Sequence, residues 1–364
     1  MQIWLFNLGM HHGNKMKYEI FSDPGRVYRK MLSDIKNAKK EIFLETYIYD
    51  NDKIGREFRD VLTRKVSEGV KVKILIDAWG SGIRKSFFKD LISKGGEVRF
   101  FRELRYVFGF FNANHERNHR KLLLIDGKIS YIGSMNITAS CLNWRELTLR
   151  IEGPMTNSFK VSFNRAWGRF NLLNVKKMKK IIFEGFEILQ DFPSRKRIGD
   201  TEKSYKRLIK NAKSEILIET PYFVPSRGIR VALKKAVKRG VNVVIVLPRR
   251  SDVRFMDFFR NRYLGSFHRA GIKIYYYPGV LHSKLLVVDD LFFLLGSSNL
   301  DYRSFRHQYE INVLGKDKDI INSLKKYFKI GFRKSKSFNY ANWQKRHFVS
   351  RISESLLNPF RKYF

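Results

Sequence analysis

The stretch from His119 to Asn136, HRKLLLIDGKISYIGSMN, returns from His282 to Asn299 as HSKLLVVDDLFFLLGSSN. Both copies obey one pattern, H-x-K-x4-D-x6-G-S-x-N. The first supplies His119, Lys121, Asp126, Gly133, Ser134 and Asn136, and the second His282, Lys284, Asp289, Gly296, Ser297 and Asn299. KLLLID and KLLVVD are short apolar runs that reach Asp-Gly or Asp-Asp and continue as ISYIGS and LFFLLGS. That is the signature of two strands joined by a tight turn. Residues i and i+2 of a strand share a face, so each His and Lys point to one side, and the neighbouring strand brings Ser and Asn beside them.

Working outward, the whole chain is duplicated. IKNAKKEIFLET from Ile35 recurs as IKNAKSEILIET from Ile209, an offset of 174. SEGVKVKILID around Gly69 matches KRGVNVVIVLP around Gly240 at 171, and TNSFKVSFNRAW from Thr156 matches INSLKKYFKIGF from Ile321 at 165. In each copy EIFLETYI or EILIETPYF reads as a strand. GREFRDVLTRKVSEG or RGIRVALKKAVKRG then reads as an amphipathic helix stopped by glycine, and the apolar run after it as the strand closing a βαβ crossover. The expected fold is α/β: two halves related by a pseudo-twofold axis, with mixed, mainly parallel sheets packed on each other. The boundaries expected are 17–170 for the first half, 171–200 for a linker, 201–332 for the second half and 333–364 for a basic amphipathic tail.

Composition limits the partners. With 72 Lys and Arg against 34 Asp and Glu, the net charge of +38 attracts polyanions, either nucleic acid or an anionic membrane surface. The single cysteine, Cys141, excludes an intramolecular disulfide framework and a cysteine-based zinc site, and fits a reducing compartment. No run approaches the roughly 20 apolar residues of a membrane span. The opening MQIWLFNLGM is apolar but short, without a basic leader or a small-residue cleavage site, so a signal peptide is not expected; initiation at Met10 or Met16 is also compatible.

The repeated motif suits phosphate chemistry. Lysine supplies a point charge, and Ser134, Asn136, Ser297 and Asn299 supply donors for the non-bridging oxygens. Two histidines at one phosphorus allow one to attack while the other protonates the departing alkoxide. A nucleophilic imidazole needs an acceptor on its far nitrogen. Each half offers a glutamate at nearly the same spacing, Glu146 27 residues after His119 and Glu310 28 after His282. No metal-ligand cluster shows in either half, so a metal-independent reaction without a cofactor is expected.

Paired HKD motifs with GSxN resemble the phospholipase D superfamily, over about Glu19 to Phe332. The resemblance implies two phospholipase D-like halves whose motifs, His119, Lys121 and Asp126 with His282, Lys284 and Asp289, form one site. It implies that His119 forms a phosphohistidine while His282 is general acid and then base, or the reverse, and that Asp126 and Asp289 are structural. NHRKLLLIDGKISYIGSMNI with NWRE, TPYFVP at Thr220 and GSSNLDYRS at Gly296 are most similar to bacterial cardiolipin synthases. That implies transfer of a phosphatidyl group between phosphatidylglycerol molecules with release of glycerol, by a peripheral protein at the cytoplasmic face of the cell membrane. A hydrolase or a metal-independent nuclease with the same two-motif site is the alternative, and nucleic acid the alternative partner. Oligomeric state is left open.

Two further segments bear on the membrane. The first half holds about eight extra residues upstream of His119, where RYVFGFFNAN sits among Arg102, Arg105 and Arg117. It reads either as a loop dipping into lipid or as a buried loop. In the tail, Phe348, Val349, Ile352, Leu356 and Leu357 fall near one helical face before Pro359, which suits a helix lying in the membrane plane or docking on the protein itself.

Overall fold

The computed structural model describes residues 16–101, 116–168, 180–193 and 198–346. The opening apolar stretch, the aromatic insertion and the tail helix lie outside these residues, with the expectations attached to them. Arg117, beside the insertion, is fully buried and paired with Asp77, so it does not project towards lipid.

The first half runs β1 (Lys17–Phe21), α1 (Pro24–Lys36), β2 (Glu41–Thr46), α2 (Lys53–Ser67), β3 (Lys71–Asp77), α3 (Lys89–Ser93), β4 (Glu97–Phe101), β5 (Arg117–Asn118), β6 (Leu122–Ile125), β7 (Ile129–Gly133), β8 (Thr148–Glu152) and α4 (Met155–Trp167). The second runs β9 (Ile181–Phe183), β10 (Phe186–Asp191), α5 (Asp200–Asn211), β11 (Glu215–Glu219), α6 (Arg227–Lys238), β12 (Asn242–Pro248), α7 (Arg254–His268), β13 (Lys273–Tyr277), β14 (Leu285–Val288), β15 (Phe292–Gly296), α8 (Tyr302–Arg306), β16 (Gln308–Gly315), α9 (Lys318–Lys334), β17 (Lys336–Ser337) and α10 (Tyr340–Gln344). Side chains cap several helices: Asp23 accepts from the Arg26 amide, Asp52 from Gly55, and Ser226 from Ile229. Gly69 and Gly240 follow α2 and α6 with positive φ, the left-handed stop their positions in the repeat suggested.

The duplication is visible strand by strand. One sheet has the order β4-β3-β2-β6-β7-β8-β1, and the other β13-β12-β11-β14-β15-β16-β10 with β17 and β9 at its ends. The sheets are mixed, as expected, but the weighting towards parallel pairs was wrong. Within the two sheets' strand orders, among the described residues, β2–β3 and β3–β4 and their equivalents β11–β12 and β12–β13 run parallel and the other neighbours antiparallel. Each motif hairpin and the strands beyond it pair antiparallel, because a two-residue turn can join only antiparallel neighbours.

The linker boundary also shifts. β9 and β10 lie within 171–200, and β10 pairs with β16 as β1 pairs with β8, so this stretch opens the second half. Its alternating FEILQD run precedes the repeat that the sequence makes obvious. Part of the expected tail likewise belongs to the second half: β17 pairs with β13, and Trp343 of α10 donates to the Asn261 carbonyl.

One apolar cluster joins the halves, with Phe43, Leu124 and Phe163 from the first meeting Leu217, Val287 and Phe328 from the second. Two outer clusters lie under α1 and α2 on one side and α5, α6 and α7 on the other. The central strands are thus covered on both faces, which explains runs such as KVKILID and NVVIVLP. Among the described residues no helix is long and apolar enough to cross a membrane.

Candidate active site

Each motif histidine sits where its chain is hooked onto the opposite half. The His119 amide donates to the Tyr309 carbonyl at 3.0 Å, and β5 pairs parallel with β16. In mirror fashion the His282 amide donates to the Arg145 carbonyl at 2.9 Å, and Arg145 pairs with Leu281. The residues following these hooks are Glu310 and Glu146. Nδ1 of His119 lies 3.1 and 3.2 Å from the Glu310 carboxylate oxygens, and Nδ1 of His282 lies 2.9 Å from Glu146. The glutamates therefore orient histidines across the pseudo-dyad, correcting the expectation that each serves its own half. With Nδ1 bound to a carboxylate, Nε2 is the nitrogen able to reach a phosphorus.

All four side chains are buried, as are Lys121 and Lys284. The Lys121 ammonium donates to the His119 carbonyl at 2.6 Å, and Lys284 donates to the His282 carbonyl. Burial pushes Lys121 down to about 7 and Lys284 to about 8. Burial also holds His119 well below its ordinary value, helped by the charges of Lys121, Lys284 and His282, so the two halves act on one another's groups. Glu310 is pushed up to about 7 by burial. Burial raises Glu146 too, but His282 and Lys284 outweigh it and the carboxyl lies below its usual range. The two pairs share a geometry and differ in charge: His119 is kept as neutral imidazole, while Glu146 is kept ionised beside His282.

The remaining motif residues divide. The Ser134 hydroxyl donates to Glu146 and accepts from the Leu147 amide at 3.0 Å; Ser297 does the same with Glu310 and Ile311. A hydroxyl has one proton to give, so these serines hold the glutamates, and the expected role as phosphate donors does not fit. Preceding each serine, a Cβ at Gly133 or Gly296 would meet the Leu147 or Ile311 carbonyl at 2.2 or 2.4 Å, which is why glycine stands there. Asn136 accepts from the Ile48 amide at 3.2 Å, whereas the buried Oδ1 of Asn299 has no partner.

Asp126 and Asp289 are not in the site. They lie seven residues along the hairpin from their histidines, roughly 20 Å at the rise of a strand. Asp126 accepts from the amides of Lys39, Lys40 and Glu41 at 2.7–3.0 Å, and Asp289 from those of Lys213, Ser214 and Glu215 at 2.7–2.9 Å. The turns Asp126-Gly127 and Asp289-Asp290 have positive φ at both positions, as a tight hairpin requires.

Sequence reasoning missed a layer behind the histidines. Glu45 accepts from the Asn118 amide nitrogen at 2.8 Å and Arg120 at 3.1 Å. Glu219, its equivalent, accepts from Arg145 and Tyr327 at 2.8 and 2.9 Å and from Ser283. The signal was available: both repeats end in Glu-Thr, a charged residue directly after the apolar runs IFL and ILI. Tyr47 meets His119 edge-on at 4.9 Å between centroids, and Trp144 meets His282 at 5.2 Å; neither is repeated in the sequence, so spacing carried no trace of them.

Fold and paired hairpins define a class, phospholipase D-like proteins. A phosphatidylserine synthase from Haemophilus influenzae superposes with a TM-score of 0.75 at 14% identity, covering 95% of this chain and 94% of that one. A polyphosphate kinase from Porphyromonas gingivalis does so at 0.62 and 12%, covering 96% and 54%. Within the class, a family described as cardiolipin synthase, phospholipase D-like domain, matches residues 31–167 and 205–330. The chain is 33% identical over 361 residues to the major cardiolipin synthase of Bacillus subtilis, spanning 94% of this chain and 74% of that one. It is 33% identical over 356 residues to cardiolipin synthase 1 of Staphylococcus epidermidis, spanning 93% and 72%. This chain belongs to the cardiolipin synthase family.

Proposed function

We propose that the protein is a phosphatidyltransferase of cardiolipin synthase type, working from the cytoplasmic face of the membrane. Nε2 of neutral His119 attacks the phosphorus of one phosphatidylglycerol; the bond to glycerol breaks and His282 gives that oxygen its proton. His282 then takes the proton from a hydroxyl of a second phosphatidylglycerol, which attacks the phosphohistidine, yields cardiolipin and restores His119. Lys121, Lys284 and the amides of Asn136 and Asn299 meet the non-bridging oxygens. Glu310 and Glu146 orient the imidazoles, and Asp126 and Asp289 brace the hairpins. The observation that carries this reading is the crossed pairing of His119 with Glu310 and His282 with Glu146 in one buried site.

The test is incubation with phosphatidylglycerol vesicles followed by lipid mass spectrometry and glycerol release. Cardiolipin with glycerol is the expected outcome; phosphatidic acid alone makes the protein a hydrolase. The charge of +38 also suits nucleic acid, so a labelled oligonucleotide is the second arm, and its cleavage without lipid turnover would replace this reading.

A further inference from the structure

Equivalent strands of the two halves, β3 and β12, end at Asp77 and Pro248, and the charges of Asp77 and of Asp252 on the loop after β12 both bear on Tyr47, whose ring meets His119. The loop after β3 carries Trp79, 45% exposed; the loop and helix start after β12 carry Val253 at 45% and Phe258 at 40%. A single exposed apolar residue is ordinary. Here three of them fall in matching segments of the two halves, a loop in the first and a loop with the first turns of α7 in the second, each also bearing exposed cations. Arg84 and Lys85 stand on the first loop, and Arg249, Arg250 and Arg254 on the second. Ala78–Phe87 contains no acidic residue. Of the two in Arg249–Phe258, Asp252 accepts from the Tyr222 hydroxyl at 2.8 Å and Asp257 pairs with Arg260 at 3.0 Å, so both acids are answered from within the protein.

These loops border the cluster around the two histidines. Asp77 accepts the amide of Asn118, the residue before His119, at 2.8 Å. The Trp79 ring lies 5.0 Å from the Arg117 guanidinium and 5.8 Å from Arg303, whose charge bears on His119. From the second half, the charge of Asp252, next to Val253, bears on Lys284.

We infer that the Trp79 loop and the Val253–Phe258 segment form the rim through which the protein sits on an anionic phospholipid bilayer. Tryptophan and phenylalanine enter the boundary between headgroups and acyl chains, and the arginines and lysine meet lipid phosphates beside them. The inference rests on the lipid-substrate reading and adds to it: the histidines face the surface that holds their substrate, and the headgroup reaches them without leaving the bilayer.

The test uses the full chain with the triple variant Val253→Ser, Phe258→Ser, Arg254→Ser, which leaves the histidines, lysines and glutamates untouched. Cosedimentation with vesicles of equal parts phosphatidylglycerol and phosphatidylcholine is expected to fall by about tenfold or more. Turnover of a short-chain phosphatidylglycerol dispersed as monomers is expected to match the parent, which also verifies folding. A second variant, Val231→Ser with Lys235→Ser on the exposed face of α6, is expected to sediment like the parent. Undiminished vesicle binding by the triple variant overturns the inference. So does an equal loss in the α6 variant, or a loss of oligonucleotide binding with vesicle binding kept, which would mark the segment as a nucleic-acid surface. If the parent binds vesicles through this rim yet turns over no lipid, the rim stands and the catalytic proposal fails.

Discussion

At the scale of single residues, the site depends on carboxylates that reach across the molecule. In Glu310→Gln the side chain keeps its size and its bond from Ser297, but His119 loses the charge opposite its Nδ1. We expect kcat on phosphatidylglycerol to fall about 100-fold or more with KM little changed, as when orientation and proton-transfer help are lost; unchanged kcat would remove Glu310 from the mechanism. The lysines set a pH dependence. Burial holds Lys121 at about 7 and Lys284 at about 8, so near pH 8 the folded site has given up protons that an unfolded chain keeps. On the lysines' account alone, native stability therefore rises with pH between roughly 7 and 10, because the unfolded state binds more protons there. A phosphate group bound there is expected to reverse the trend by drawing both lysines back to their charged forms. Titration with inorganic phosphate at pH 8, in buffers of differing ionisation enthalpy, is expected to report net proton uptake that shrinks in Lys121→Met. Zero uptake in the parent would mean that the lysines do not hold phosphate. The histidines, lysines and both glutamates were legible in the sequence because duplication marks them. Their pairing was not: spacing records distance along a chain, whereas the partner of His119 is decided by the strand its backbone joins.

At the scale of elements, the hairpin of each motif is a brace with the candidate site at one end and anchorage at the other. Asp126 and Asp289 gather the amides that open β2 and β11, and so fix the register of the motif hairpins against the parallel strands. Replacing either by alanine strands three amide donors, which water reaches only in part. A loss of about 1–3 kcal/mol in urea denaturation is expected, with turnover at saturating substrate kept within a few-fold at a temperature where the variant is folded. A loss of activity in a fully folded Asp126→Ala protein would return that residue to the chemistry. The motif spacing announced a strand, a tight turn and a strand, and those elements form. Strand direction is harder to read: a buried apolar run looks alike in parallel and antiparallel sheets, and only a βαβ crossover announces a parallel pair. β10 escaped notice because its repeat partner, KYEIF in β1, shares alternation but little identity.

At the scale of the whole molecule, the two halves are clamped by more than their shared apolar core. Arg145 comes from the first half, yet its guanidinium is held by Glu219 and the Tyr327 carbonyl of the second, 3.8 Å over the Tyr327 ring, and its backbone carries His282. The corresponding pair in the first half, Arg120 with Glu45, stays within that half. This asymmetry separates two roles that a buried ion pair can play. Arg145→Met leaves Glu219 charged and buried without its cation, which is expected to cost about 3–5 kcal/mol. Adding Glu219→Gln removes the stranded charge, so the double variant should regain much of that stability. Activity should behave differently, because the clamp also sets the seat of His282: kcat in the double variant is expected to stay well below the parent after stability has returned. Arg120→Met with Glu45→Gln is the control, since it removes a pair of the same kind that spans no boundary. If both double variants recover stability and kcat together, the Arg145 contact is a packing feature with no part in joining the halves. If only the Arg145 variant stays slow, the position of the second histidine depends on how tightly one half holds the other.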